Sequence, residues 1–275
     1  MTGSRSPAEP IRLVVSDIDG TLVNHAKVLT PRTRAAIAAL AARGVGFTVT
    51  TARPPVGLRP IFDMLGMRVP AAAINGGAVV DADLRIIEEK LLAPAAARRA
   101  VTLLRERGLD PWLFTDRHWY LRDPDGDNVG LETRTIGQAP VVVNDFAPEL
   151  YDRVLKVIGS CNDHPHLAEC ETLLARELGD TAIATRSQAY YLDVTNPQAH
   201  KGEAVRSLSR AFAVPVSAIL TIGDGINDIP MLEASGFSVA MGNGTEVVKA
   251  AAHVVTDDCE NDGFAKAIER YVLDA

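Results

Sequence analysis

The chain has 275 residues, 47% apolar and 23% charged, an ordinary globular mixture able to bury a core in one large domain or two modest ones. Its formal net charge is −7 and no dense Lys/Arg block interrupts it, which disfavours a nucleic-acid or anionic-membrane surface. Cys161, Cys170 and Cys259 are too few, and odd in number, for a disulfide framework.

No apolar run approaches the ~18 residues of a membrane-spanning helix. The opening "MTGSRSPAEP" lacks a signal peptide's apolar stretch and reads as a short disordered tail, so the expected location is the cytoplasm. "IRLVVSD" (11–17) is a β-rich run that stops at a polar turn, a buried strand. "LTPRTRAAIAALAARG" (29–44) carries helix punctuation, with Thr30 as N-cap, Pro31 at the first helical position and Gly44 at the end. "VGFTVTTARPP" (45–55) is the next strand, "RPIFDMLGM" (59–67) a short helix, and "AAAINGGAVVDADLRII" (71–87) a third strand, a Gly-rich turn and a hairpin. Such β-α-β-α-β alternation predicts a parallel sheet covered by helices, with ligands beyond the carboxyl ends of its strands.

The middle of the chain differs. "LLAPAAARRAVTLLRERG" (91–108) is a helix ending at Gly108, and "WLFTDRHWYLRD" (112–123) a hairpin turning near Asp116 and Arg117. "RVLKVIGSC" (153–161) is a strand, "LAECETLLAREL" (167–178) a helix and "TAIATRSQAYYLDVT" (181–195) another hairpin, an α+β segment with antiparallel pairs. Alternation resumes with the helix "KGEAVRSLSRAFAV", the strand "AILTIGD" (218–224), the helix "NDIPMLEASG" (227–236) closed by Gly236, the strand and turn "FSVAMGNG" (237–244), the helix "EVVKAAA" and the terminal helix "FAKAIERYVL" (264–273). The simplest organisation is an α/β core, 1–82 and 196–275, with a smaller domain, 83–195, inserted.

Four features fall at strand ends or helix starts of that core: Asp17-x-Asp19-Gly-Thr21, Thr51 in "TTARP", Lys201-Gly202, and Asp224 with Asn227 and Asp228 in "GDGINDIPML". Each alone has a plain structural explanation as turn, cap or solvated side chain. Together they bring several acids, one cation and one hydroxyl to one sheet edge. Packed carboxylates without compensation raise their own pKa values or weaken the fold. A divalent cation removes that difficulty, and Asp17, Asp224 and a backbone carbonyl suit Mg²⁺, which prefers hard oxygen ligands. Lys201 and Thr51 suit a phosphate. Asn75 and Gly76 close a strand on the same edge and are further candidate substrate contacts, although a turn that requires glycine explains them nearly as well.

"DIDGTL", "TTAR", "KGEAV" and "GDGINDIPML", in that order, resemble the four motifs of the haloacid dehalogenase superfamily of phosphohydrolases. The chain is most similar to its Cof-type (subclass IIB) branch, whose Rossmann-like core carries a large inserted α+β cap. "LTPRTRAAIAALAARGV", "INGGAVV" and "YYLDVTNPQAHKGEAV" extend the likeness; the middle of the cap matches only in pattern. The resemblance implies that Asp17 attacks phosphorus and becomes an aspartyl-phosphate. It implies that Asp19 protonates the leaving oxygen, then activates the hydrolytic water, with its backbone carbonyl on Mg²⁺. Thr51 and Lys201 would hold the phosphoryl oxygens and Arg53, from the same TTAR motif, would serve the substrate side. Asp224 would ligate Mg²⁺, with Asn227 and Asp228 orienting that shell and Thr21 supporting it. An acid at position 19 favours a phosphatase or a mutase over the pumps, which have lysine there, and over the dehalogenases, which lack an acid. Ala52, where the branch usually has glycine, is the one departure.

The expected activity is Mg²⁺-dependent hydrolysis of a small phosphorylated metabolite, a sugar phosphate before others, by a monomer or small homo-oligomer with no nucleic-acid or membrane partner. A phosphohexomutase is the alternative within the architecture, and a non-catalytic phospho-ligand-binding or regulatory protein the alternative outside it. "DPDGDN" (123–128) echoes a calcium loop but misplaces its glycine and has Arg134 at the twelfth position, so it reads as an acidic turn. "CNDHPHLAEC" (161–170) fits no common zinc spacing and reads as a turn around Pro165 with buried thiols. Trp112, Trp119, Tyr120 and Tyr190 read as core or sheet-face residues of the cap.

Overall fold

The computed structural model describes residues 6–274, so the expected N-terminal tail lies partly, at 1–5, outside the described residues. The chain divides into two compact units. One comprises residues 1–51, 69–76 and 200–275; the other comprises 52–68 and 77–199. Relative to the expected boundaries, 52–68 groups with the inserted unit, as do 77–82 and 196–199.

The first unit is built on a five-stranded parallel sheet ordered Val254–Val255, Phe237–Ala240, Ile219–Gly223, Leu13–Ser16, Gly46–Val49. Leu13–Ser16 sits inside the sheet, with Ser16 paired to Ile222 on one side and Val49 on the other. Its four residues are all buried, as a strand covered on both faces requires. Ala71–Ala73 follows the edge strand, with Ala72 bridged in parallel to Thr50. The helix Pro31–Ala42 starts as its sequence predicts: Thr30 accepts a hydrogen bond from the Thr33 amide and proline takes the first turn. It stops before Gly44, which is left-handed at φ +71°.

Gly236 has a different reason from the expected one. The helix Ile229–Ala234 is capped by Ser235 in extended conformation. A Cβ at Gly236 would lie 1.9 Å from the Ser217 carbonyl oxygen, so glycine is required by close backbone approach rather than by a helix end. The terminal helix is also not one regular piece: Gly263–Ile268 is α-helical and Glu269–Leu273 widens to a π turn.

The second unit contains a six-stranded sheet ordered Ile183–Gln188, Tyr191–Thr195, Lys156–Ser160, Pro111–Phe114, Trp119–Leu121, Val141–Val142. All pairs are antiparallel except the last, which is parallel. Strand alternation divides its side chains. Leu113, Val157, Leu192 and Val194 pack with helices Pro94–Glu106 and His164–Leu178. Trp112, Phe114, Trp119, Ile158 and Tyr191 form a separate cluster with Val129 and Ile136. Both tryptophans are core residues, 2% and 1% exposed, with rings 5.3 Å apart. The helix Val129–Ile136 and the short strand Val141–Val142 are absent from the sequence reading. Pro165 belongs to the first turn of the helix His164–Leu178, where Asp163 caps by accepting from the His166 amide at 3.1 Å. "DPDGDN" is a turn closed within itself at Asp123, which accepts from the Asp125 amide, and tied to another segment at Asp127, which accepts from the Asn162 amide. No described helix is long and apolar enough to cross a membrane.

Candidate active site

The strand Leu13–Ser16 delivers Asp17 to the carboxyl edge of the sheet, its amide still bonded to the Ile222 carbonyl at 3.0 Å. The neighbouring strand Ile219–Gly223 ends one residue before Asp224. The helix Lys201–Phe212 begins with Lys201 itself, behind a cap in which His200 accepts from the Glu203 amide. These three starts and ends bring one ammonium among three carboxylates.

Lys201 is 1% exposed. Its Nζ donates to Asp17 Oδ1 at 2.5 Å and also to Asp228 Oδ1. The other oxygen of Asp228 accepts from the amides of Asp224 and Gly225, at 2.9 and 2.8 Å, so this wholly buried acid holds the lysine and shapes the turn. Gly223 permits that packing, since a Cβ there would lie 2.5 Å from Asp228 Oδ2. Asp224 Oδ1 accepts from the Thr21 hydroxyl at 2.6 Å, and its Oδ2 from Asn243 Nδ2 at 3.1 Å. The same Asn243 amide group donates to the Gly20 carbonyl at 2.9 Å, drawing the DIDGT turn to the end of the neighbouring strand. Gly20, at φ +85°, adopts the left-handed conformation glycine takes without strain, and a Cβ there would come 2.5 Å from Asp224 Oδ2.

Oxygen atoms of Asp17, Asp224 and Asp228 lie within 4.8 Å of one another. The electrostatic consequence is direct. Burial pushes the Asp17 carboxyl well above its usual range, Lys201 pulls it back, and Asp228 and Asp224 push it up again. Asp224 is pushed up to about 6, by burial first and by Asp228 next, against the Thr21 hydrogen bond and Lys201. Burial opposes charge on Lys201, but Asp17 and Asp228 overcome it and its net shift is upward. One ammonium therefore does not neutralise the cluster. An all-oxygen donor set with surplus negative charge fits a hard divalent cation such as Mg²⁺.

The remaining expected residues fall as follows. Asp19 is partly exposed at the turn and accepts from Lys27 Nζ at 2.6 Å. Thr51 is 2% exposed, bonded through its amide to the Ala72 carbonyl, and its own carbonyl accepts from the Asn75 amide at 2.8 Å. Asn75 is buried in a left-handed conformation, φ 52°, and its Oδ1 accepts from Asn227 Nδ2 at 3.1 Å. Thr51, Asn75 and Asn227 are thus linked at one strand edge. Gly76, φ +92°, leaves room for the start of the lysine helix: a Cβ would lie 2.9 Å from the His200 carbonyl oxygen. Arg53 belongs to the other unit, where its charge is felt by buried Glu132.

Asn243 and Lys27 lie outside the four motifs. Asn243 follows a core strand in "MGNG", and that strand-end position is the signal available in sequence. Nothing local marks Lys27 as a partner for Asp19.

The sequence profile of the haloacid dehalogenase-like hydrolases matches residues 14–268. A Haemophilus influenzae protein described provisionally as a phosphatase is 31% identical over 94% of this chain and 97% of its own. The Escherichia coli pyridoxal phosphate phosphatase YbhA is 25% identical over 95% of this chain and 99% of its own. A haloacid dehalogenase-like hydrolase from Bacteroides thetaiotaomicron, known from its crystal structure, is 26% identical, with a TM-score of 0.84 over 94% of this chain and 99% of that one. The chain belongs to the haloacid dehalogenase-like hydrolase family. Within it, the chain is a phosphatase, as the resemblance carried by its four motifs implies.

Proposed function

We propose that this phosphatase hydrolyses phosphate monoesters of small metabolites with Mg²⁺ and passes through an aspartyl-phosphate on Asp17. The observation that carries the reading is the meeting of Asp17, Asp224 and Asp228 around Lys201 at one sheet edge. Asp17 and Asp224, with the Asp19 carbonyl, would hold the metal, which supplies a positive charge that offsets the carboxylates and the transferring phosphoryl oxygens.

Asp17 is the nucleophile: one carboxylate oxygen forms a bond to phosphorus as the ester oxygen leaves. Asp19 gives that oxygen a proton, then takes one from the water that cleaves the acyl-phosphate. Lys201 and Thr51 hold the phosphoryl oxygens in line, and positioning with charge neutralisation is most of what phosphoryl transfer asks of a protein. Asp228 fixes Lys201 and the turn amides. Asn227 and Asn75 form the polar edge beside Thr51, with the Gly76 main chain and Arg53 as further substrate contacts. Choice of substrate is assigned to the inserted unit, since the groups gathered in the first address a phosphoryl group common to all such esters.

Support for a small-metabolite substrate comes from the E. coli relative, named for pyridoxal phosphate. The test is inorganic phosphate release from a panel of sugar, nucleotide, flavin and pyridoxal phosphates, ranked by kcat/KM. Phosphate release from one class at high kcat/KM is expected. A phosphorylated isomer appearing in place of phosphate would make the chain a mutase, and no turnover of any ester would leave a binding protein.

A further inference from the structure

A second group of metal-binding donors lies outside the four motifs. His25, Cys259 and Glu260 each offer a ligand atom, and the three atoms lie within 4.8 Å of one another. They come from distant segments: the loop after DIDGTLV and the turn Cys259–Asn261. Cys259 Sγ and His25 Nε2 are 3.9 Å apart. Around a tetrahedral zinc, with Zn–S about 2.3 Å and Zn–N about 2.0–2.1 Å, sulfur and nitrogen ligands sit about 3.5 Å apart, so a small closure suffices.

The carboxylate is already oriented. Glu260 Oε1 accepts from the His25 amide at 3.0 Å, and Oε2 from Asn24 Nδ2 at 3.4 Å. A carboxylate oxygen can accept more than one bond, so these contacts leave capacity for a cation. Cys259 is buried, while His25 and Glu260 are exposed, which puts the thiol behind two donors that solvent reaches. Sulfur, nitrogen and oxygen together suit a borderline-soft cation, in contrast with the all-oxygen set around Asp17.

We propose that His25, Cys259 and Glu260 form a separate site for Zn²⁺ or a cation of similar softness, and that its occupancy slows turnover. On binding, Sγ exchanges its proton for a bond to the metal, and the proton passes to solvent. Burial, then Glu260 and other nearby acids, hold the thiol in its protonated form until then. The link to the carboxylates is short. The Cys259 amide donates to Asn243 Oδ1 at 3.0 Å, and Asn243 Nδ2 donates to Asp224 and to the Gly20 carbonyl. On the other side, Lys27, two residues beyond His25, donates to Asp19. Drawing His25 and Cys259 together acts on Asp224 through one and on Asp19 through the other. The binding claim does not depend on the phosphatase chemistry.

Cobalt is the spectroscopic probe, titrated with Mg²⁺ in excess so that the all-oxygen site is occupied. A thiolate-to-cobalt charge-transfer band saturating at one equivalent is expected in the native protein and in a Cys161→Ser/Cys170→Ser variant. It is expected to vanish in Cys259→Ser, with circular dichroism checking the fold. His25→Ala, a change at an exposed position, is expected to weaken binding by more than about tenfold, since even outer-shell changes commonly cost that much. Zn²⁺ is expected to bleach the band and slow phosphate release, and to lose that inhibition in His25→Ala. No band, or one that survives Cys259→Ser, overturns the site. Equal inhibition in His25→Ala overturns the coupling while leaving the site.

Discussion

Lys201 and Lys156 are 1% and 3% exposed, and each faces carboxylates, but the two units compensate these charges differently. In the first unit Lys201 donates directly to Asp17 and Asp228, with Asp224 within reach of both. In the second, Lys156 lies 3.5 Å from Asp193, donates to the Ala52 carbonyl at 3.0 Å, and sits 5.0 Å from the Phe114 ring centroid. Burial raises Asp193 and Glu132, with Lys156 the leading opposing charge on each. Two carboxylates beside one ammonium need only one proton, and the neighbouring Tyr191, held in its neutral form by burial and by Glu132, adds no further charge. Three carboxylates beside one ammonium need more. Location differs too: Asp17 and Asp224 stand just past strand ends, where turn amides and a helix start converge, whereas Lys156 and Asp193 stand within strands. Burial of charge does not by itself make a site; surplus charge at a strand end does.

The sharpest break in the comparison is Asp17→Asn. Phosphate release should fall at least about a thousandfold, because the nucleophile is removed, while the melting temperature stays near the parent's. Substantial residual turnover would end the assignment. Lys201→Met and Lys156→Met test the pair of lysines against each other. Each should cost about 3–5 kcal/mol in chemical denaturation, since each leaves buried carboxylates uncompensated. Only Lys201→Met should remove phosphate release from the fraction that remains folded; equal losses would make both clusters catalytic. Asn243→Ala should weaken Mg²⁺ affinity by about 10–100-fold, read from the Mg²⁺ dependence of turnover, by freeing Asp224 from its orienting amide.

Metal and pH give a smaller effect with a definite sign. The folded carboxyl of Asp224 titrates at about 6, above its unfolded value, so in metal-free protein its stabilising contribution is complete below the unfolded pKa and lost as pH rises through about 6. Mg²⁺ binds the ionised form. The rise in melting temperature on adding Mg²⁺ should therefore be larger at pH 7.5 than at pH 5, and a chelator should stop turnover reversibly. A metal-induced shift indifferent to pH would count against a carboxylate site. The smallest effect belongs to Lys27→Ala: its exposed ion pair with Asp19 should change stability by less than about 1 kcal/mol.

The α/β core was legible because its strands are short apolar runs ending in Asp, Thr or Gly, and because Thr30, Pro31 and Gly44 punctuate the first helix. Asp17, Thr51, Lys201 and Asp224 were legible for a related reason: each stands where periodicity stops. Contacts made in three dimensions were not. Asn243 reaches Gly20 across 223 positions of chain, and its strand-end position in sequence does not name that partner. Val129–Ile136 was missed because its start, Asn128 at φ 64°, lacks a side-chain cap and follows an acidic turn. Gly236 was recognised as important for the wrong reason, since a sequence shows a glycine near a helix end but not a carbonyl pressed against it.

The placement of Leu13–Ser16 between Gly46–Val49 and Ile219–Gly223 has a consequence for how the molecule is born. The strand Leu13–Ser16 leaves the ribosome about two hundred residues ahead of its partner Ile219–Gly223. At about 5–20 residues per second, the stretch from Asp17 to Asp224 takes on the order of 10 to 40 s to synthesise. During that interval nearly all of the second unit is already available to fold, while the first has only two adjacent strands of its main sheet. For most of that interval the nascent chain carries its acidic turn with neither Lys201 nor Asp224 beside it. The cluster around Asp17 is complete only after Ile219–Gly223 has joined the sheet.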